Sequence, residues 1–188
     1  LPVVEAAIAR KVKIVFQSVL GVDADDSIPY RQIEILIEKS GVPYVILIFV
    51  ESYGRSAVED PRYADVTRPR LEQVDAEIRA AGLASASAWV TSPTVGGLSW
   101  LAHGTLLSGL WVDSQARYDR LMISRQPSLN QLFGQAGWKP VAAMPAITMD
   151  WPEAGYYGYR QVLAAADLDY RGKPFNWVTM PDQFTLAA

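Results

Sequence analysis

The chain contains no cysteine, so disulfides and thiolate metal sites are excluded, while the compartment stays undecided. It contains one histidine, His103, so a zinc site with several imidazole ligands cannot be assembled from these residues alone. Long apolar runs are also missing. The longest, Val45 to Val50, falls far short of the roughly 20 residues that a membrane-spanning helix requires. No secretory leader is evident. Basic clusters are absent and the formal net charge is −3, which argues against nucleic acid as a partner, because phosphate contacts demand grouped Lys and Arg.

Half of the residues are hydrophobic and six are Trp, a composition that folds around a core. The length of 188 residues suits one α/β domain or part of a larger one. The sequence opens at Leu1 and closes on Phe184-Thr185-Leu186-Ala187-Ala188, an ending that reads as the start of a helix. A fragment with residues missing at both ends is therefore expected.

Residues 3–20 carry Val4, Ile8, Val12, Val15, Phe16 and Val19 at near-helical spacing, followed by Gly21, and predict an amphipathic helix. A polar turn, Asp23 to Ser27, precedes a second helix expected over 29–40. It lacks the Gly and distal Glu of a calcium loop. Tyr44 to Val50 is a continuous β-branched and aromatic run, as in a parallel strand buried on both faces. Further along, the pattern predicts a helix over 67–81 capped by Thr67, a strand over 84–90, and a loop over 91–97. A helix from Ser99 to Leu107, a Ser128-capped helix over 129–136, a strand over 139–144 and a short helix near 160–167 follow. Strands alternating with helices give an α/β fold with a mostly parallel sheet sandwiched by helices. The expected organisation is a helical N-terminal segment, 1–43, followed by 44–188 as the N-terminal part of a catalytic domain.

Ligands of open parallel sheets bind beyond the carboxyl ends of the strands. Glu51 directly follows the most apolar strand. A carboxylate there needs a partner: a divalent cation, an arginine such as Arg55, or solvent. The second candidate is Gly96-Gly97-Leu98-Ser99, where two glycines precede a hydroxyl at a helix start. The free N–H groups and dipole of that helix end favour a phosphate, a sulfate or a forming alkoxide. His103 lies one turn on, on the same face as Ser99. A plain N-cap serine and a packed histidine would give the same spelling.

Taken together, the segments resemble the sulfatase-like branch of the alkaline phosphatase superfamily. The opening strand resembles that of its membrane-anchored members, a group that includes lipoteichoic-acid synthases and phosphoethanolamine transferases. In that group the first strand ends in an acidic metal ligand followed by Ser and an aromatic residue, as Glu51-Ser52-Tyr53 does. Ser99 to Gly109 aligns without a gap on the signature C-x-P-S-R-x-x-L-L-T-G. Ser99 takes the nucleophile position and Leu106-Leu107-Ser108-Gly109 its end, while Leu101 and His103 replace the signature Pro and Arg. Pro127 to Trp138 is similar to the family helix S-L-x-x-L-L-x-x-x-G-Y, and Met180 to Phe184 to its P-D-E-Y helix start. Residues 1–40 match the linker after the membrane helices only in character.

The resemblance implies an alkaline phosphatase-like fold, incomplete at the C-terminus, and a divalent ion (Zn, Mn, Ca or Mg) held by Glu51 and Ser99. The remaining ligands, an Asp-His pair and further His, come from a C-terminal half in the family. It implies in-line attack by Ser99 on a sulfate or phosphate ester, with His103 bonding the anion or leaving group. Because Leu101 and His103 replace the residues that direct formylglycine formation, Ser99 is expected to act as unmodified serine. The implied partners are sulfated or phosphorylated small molecules, lipids or glycans. The implied location is extracytoplasmic, with membrane attachment only through segments outside this chain. The competing reading is a non-catalytic or truncated relative that keeps the fold for binding.

Overall fold

The computed structural model describes residues 13–17, 45–50, 54–174 and 179–188. Strand β1, Lys13–Gln17, pairs in parallel with β2, Val45–Phe49, in the register Lys13 to Val45 through Gln17 to Phe49. This overturns the helix expected over 3–20 for its described part. The apolar stripe there contains Ile14, Val15 and Phe16 in sequence, and adjacent β-branched and aromatic residues favour a pleated strand once a partner strand is available. The helix expected over 29–40 lies outside the described residues.

β2 appears where the sequence placed it, but not buried on both faces. Leu47 and Phe49 pack against the core, whereas Ile46 on the alternate face is 39% exposed. The two-residue period of a strand produces that division.

Two helices follow, α1 (Arg55–Glu59) and α2 (Pro61–Ala80). The start expected at Thr67 is corrected to Asp60, whose side chain accepts the Arg62 backbone N–H at 2.9 Å and sets Pro61 at the first helical position. Pro69 sits inside the helix. The far end agrees with expectation: Gly82 adopts φ +74 just past the C-cap Ala81.

The strand expected over 84–90 is absent, and the chain runs irregularly from there to the loop over 91–97. Ala84-Ser85-Ala86-Ser87-Ala88 has too little apolar surface to hold it in a sheet. Helix α3, Ser99–Ser108, comes next, then α4, Gln115–Met122, which the expected pattern omitted. Helix α5, Leu129–Gln135, has the expected Ser128 cap in a full capping box with Gln131.

Strand β3, Val141–Met144, pairs in parallel with β4, Gln161–Ala164, and helix α6, Ala154–Tyr157, lies in the crossover. The helix expected near 160–167 is therefore corrected to a strand followed by a 3-10 turn, Ala165–Leu168. Val162 and Leu163 gain ladder bonds against Ala142 and Ala143, which outweigh the helix preference of the alanines after them. A last turn, α7, spans Asp182–Thr185.

The core gathers Leu101 and Leu107 of α3, Tyr118 and Leu121 of α4, Leu129, and the pair Tyr156 and Tyr157. Its polar tie is Ser128. The Oγ donates to the Tyr157 carbonyl at 2.7 Å and accepts the Gln131 N–H at 3.1 Å, while Gln131 Nε2 donates to the Tyr156 carbonyl at 2.6 Å. The start of α5 thus satisfies the open carbonyl end of α6. Among the described residues the fold is mixed helix and strand with small parallel sheets, compatible with the α/β expectation. No helix of the described residues is long and apolar enough to cross a membrane.

Candidate functional site

Ser99 is the first residue of α3. The N-cap position belongs to Leu98, which carries no capping side chain, so Ser99 is not the N-cap serine that its spelling also allowed. Three successive residues hold positive φ before the helix: Gly96 at +73°, Gly97 at +145° and Leu98 at +57°. Glycine takes such angles freely. For Leu98 the left-handed conformation costs about 1–2 kcal/mol. The turn places Ser99, only partly buried, in the first helical turn, whose N–H groups have no intrahelical partners.

The rest of the motif serves the helix itself. Leu107 is 3% exposed and Ser108 fully buried, its Oγ accepting the Leu110 N–H at 3.2 Å. Gly109 closes α3 at φ +70. Thr105 Oγ1 accepts the Val112 N–H at 2.9 Å and fixes the chain as it leaves. Helix termination accounts for Leu106-Leu107-Ser108-Gly109.

His103 is partly buried, with its ring 4.2 Å from that of Phe49 at an angle of 46°. The carboxyl end of β2 is thereby set against α3, one turn from Ser99. Glu51 lies two residues beyond Phe49 and outside the described residues, as do Ser52 and Tyr53. Arg55 bonds Glu59 at 2.6 Å and lies 5.6 Å from the Trp89 ring centre.

Sequence reasoning missed Gln115 because it missed α4. Gln115 Oε1 accepts the indole N–H of Trp100 at 3.0 Å, and its Nε2 donates to Asp119 at 2.7 Å. The signal was legible: Ser114 precedes Tyr118, Leu121 and Met122 at helical spacing.

Titration shifts concentrate in the tyrosines behind α3. Burial raises Tyr157 far above its ordinary value, raises Tyr156 to about 12, and raises Tyr118 and Tyr159. Tyr157 Oη donates to Tyr118 Oη at 3.4 Å.

Among the described residues no group of three or more His, Asp or Glu could hold a metal ion. Ser99 is the one expected ligand that they include. Comparison of the chain with protein-family models, curated proteins and solved structures returned no match.

Proposed function

We propose that this chain forms part of a hydrolase or transferase of the alkaline phosphatase superfamily, acting on sulfate or phosphate esters through a covalent Ser99 intermediate. The carrying observation is the placement of Ser99 at the first position of α3, after a left-handed turn, with the end of β2 held against the same helix by Phe49 and His103. The sequence resemblance supplies the chemical class.

Ser99 Oγ, giving up its proton to solvent, attacks phosphorus or sulfur as the bond to the ester oxygen breaks, and the departing oxygen takes up a proton from solvent. The N–H groups of the first α3 turn stabilise the charge on the non-bridging oxygens. His103, on the Ser99 face, bonds the anion or the leaving group. Water then releases the group in a hydrolase, or an acceptor hydroxyl in a transferase.

The described residues do not complete a metal site. The divalent cation, with Glu51 and Ser99 as its ligands from this chain, enters through the resemblance alone, and no step above depends on it. When bound, it would favour the ionised Ser99 hydroxyl. Substrates are sulfated or phosphorylated small molecules, lipids or glycans, met outside the cytoplasm.

The test is to offer aryl sulfates, phosphomonoesters and phosphodiesters to the complete gene product and to its Ser99→Ala variant. The proposal expects turnover of at least one class, lost by several orders of magnitude in the variant. Turnover undiminished in Ser99→Ala contradicts it.

A further inference from the structure

Helix α2, Pro61–Ala80, buries one residue along its whole length, Ala64. Its apolar residues nevertheless fall on a line. Ala64, Thr67, Leu71, Val74, Ile78 and the C-cap Ala81 recur at alternating steps of three and four, the spacing with which one helix packs along another. Every residue of α2 that is not exposed lies on this seam, apart from its neighbour Asp75. Ala64 is covered at the end where α1 packs. The stretch from Thr67 to Ile78 stays open. Leu71 at its centre is 45% exposed, and Val74 and Ile78 are half-buried.

The two flanks of the seam differ. On one flank the charges are already engaged by this chain. Arg68 Nε donates to the Val58 carbonyl at 2.7 Å, and Asp75 pairs with Arg79 at 2.6 Å and accepts the Ser85 hydroxyl. The other flank carries Arg70 and Glu77, both exposed and neither in an ion pair among the described residues. The neutral amide of Gln73 lies between them, accepting from Arg70 Nη1 at 2.7 Å and donating to Glu77 at 2.8 Å.

We infer that this face seats α2 of a second copy of the chain, antiparallel, about a two-fold axis passing between Leu71 and Val74. Leu71 of one copy then meets Val74 of the other, and Thr67 meets Ile78, each contact occurring twice as two-fold symmetry requires. Charge complementarity chooses the orientation. Antiparallel pairing sets Arg70 of each copy against Glu77 of the other. Parallel pairing would direct Arg70 at Asp75, which Arg79 already holds, and leave Glu77 opposite Gly82. Burial of Leu71, Val74 and Ile78 drives the association, while the exposed ion pairs fix register and partner more than strength. The seam is short, so the dimer is weak and depends on concentration. None of its residues is assigned to ester chemistry, and the face stands or falls apart from that reaction.

The test is sedimentation velocity of the complete gene product over a range of concentrations. A reversible equilibrium between monomer and dimer is expected. Arg70→Glu and Glu77→Arg each set like charges together twice, and each should weaken the dimer by about tenfold or more. Mixing the two single variants should restore it, because each copy then meets opposite charge at both positions. That recovery also shows that both variants are folded. A monomer at every concentration overturns the inference, whether another part of the protein then covers the face or nothing does. A dimer that neither variant weakens, or that the mixture fails to restore, overturns it as well. Weakening by Arg70→Glu with none by Glu77→Arg overturns the antiparallel arrangement.

Discussion

The rings of Phe49 and His103 meet at 4.2 Å, joining the last residue of β2 to the middle of the helix that Ser99 begins. Through this contact the strand end and the helix start behave as one unit. A double-mutant cycle measures it. Phe49→Leu and His103→Leu should show a coupling of about 0.5–1.5 kcal/mol in urea unfolding. Additive effects would mean that the two rings are merely adjacent.

Leu98 carries the strain of the turn that presents Ser99. It is 51% exposed, so replacement loses little burial. Leu98→Gly relieves the left-handed conformation, although glycine also loosens the unfolded chain, and a net gain of about 0.5–1 kcal/mol is expected. Leu98→Pro cannot adopt φ +57 and should cost more than that. Thermal unfolding of the two variants checks both signs, and a destabilised Leu98→Gly would refute the strain.

Ser128 joins α5 to α6 through a fully buried hydroxyl. Ser128→Ala removes a helix cap and leaves the Tyr157 carbonyl without this donor. The combined cost should be about 2–4 kcal/mol, read from the urea midpoint at constant slope. A change within experimental error would show that the tie carries no stability.

Much of this arrangement was legible in the sequence. The run Val45 to Phe49 is apolar at every position and too short for a helix, so strand was the only economical reading. Ser128 with Gln131 spells a capping box, and Gly82, Gly109 and Gly137 all sit just past helix ends with positive φ. Elsewhere local spelling misled. Thr67 read as an N-cap, which hid the stronger start at Asp60-Pro61. Lys13 to Gln17 and Gln161 to Ala164 became strands because each found a partner distant in sequence, which local periodicity does not reveal. At the candidate site, Ser99 at a helix start was readable, whereas the Trp100–Gln115 bond depends on packing between helices.

Alkaline pH should unfold the chain through its buried tyrosines. Their folded pKa values lie above the ordinary value of 10.0, with Tyr156 at about 12. Below pH 10 they are neutral in both states and their contribution is fully present. Above it the unfolded chain releases protons that the folded chain retains, and stability falls by up to about 1.4 kcal/mol per pH unit for each such group. Tyr157→Phe should reduce the slope of stability against pH between 10 and 12. An identical slope in the variant would show that Tyr157 ionises as freely when folded.

The most direct measurement concerns Ser99 itself. The complete gene product is mixed with a substrate that it turns over, quenched in acid during turnover, digested, and the peptide bearing residue 99 weighed. The account predicts an unmodified serine before reaction and the same serine carrying one phosphoryl or sulfuryl group after the quench, with no adduct in Ser99→Ala. An adduct on another residue would contradict it. So would a residue 99 lighter than serine by two hydrogens, as formylglycine is.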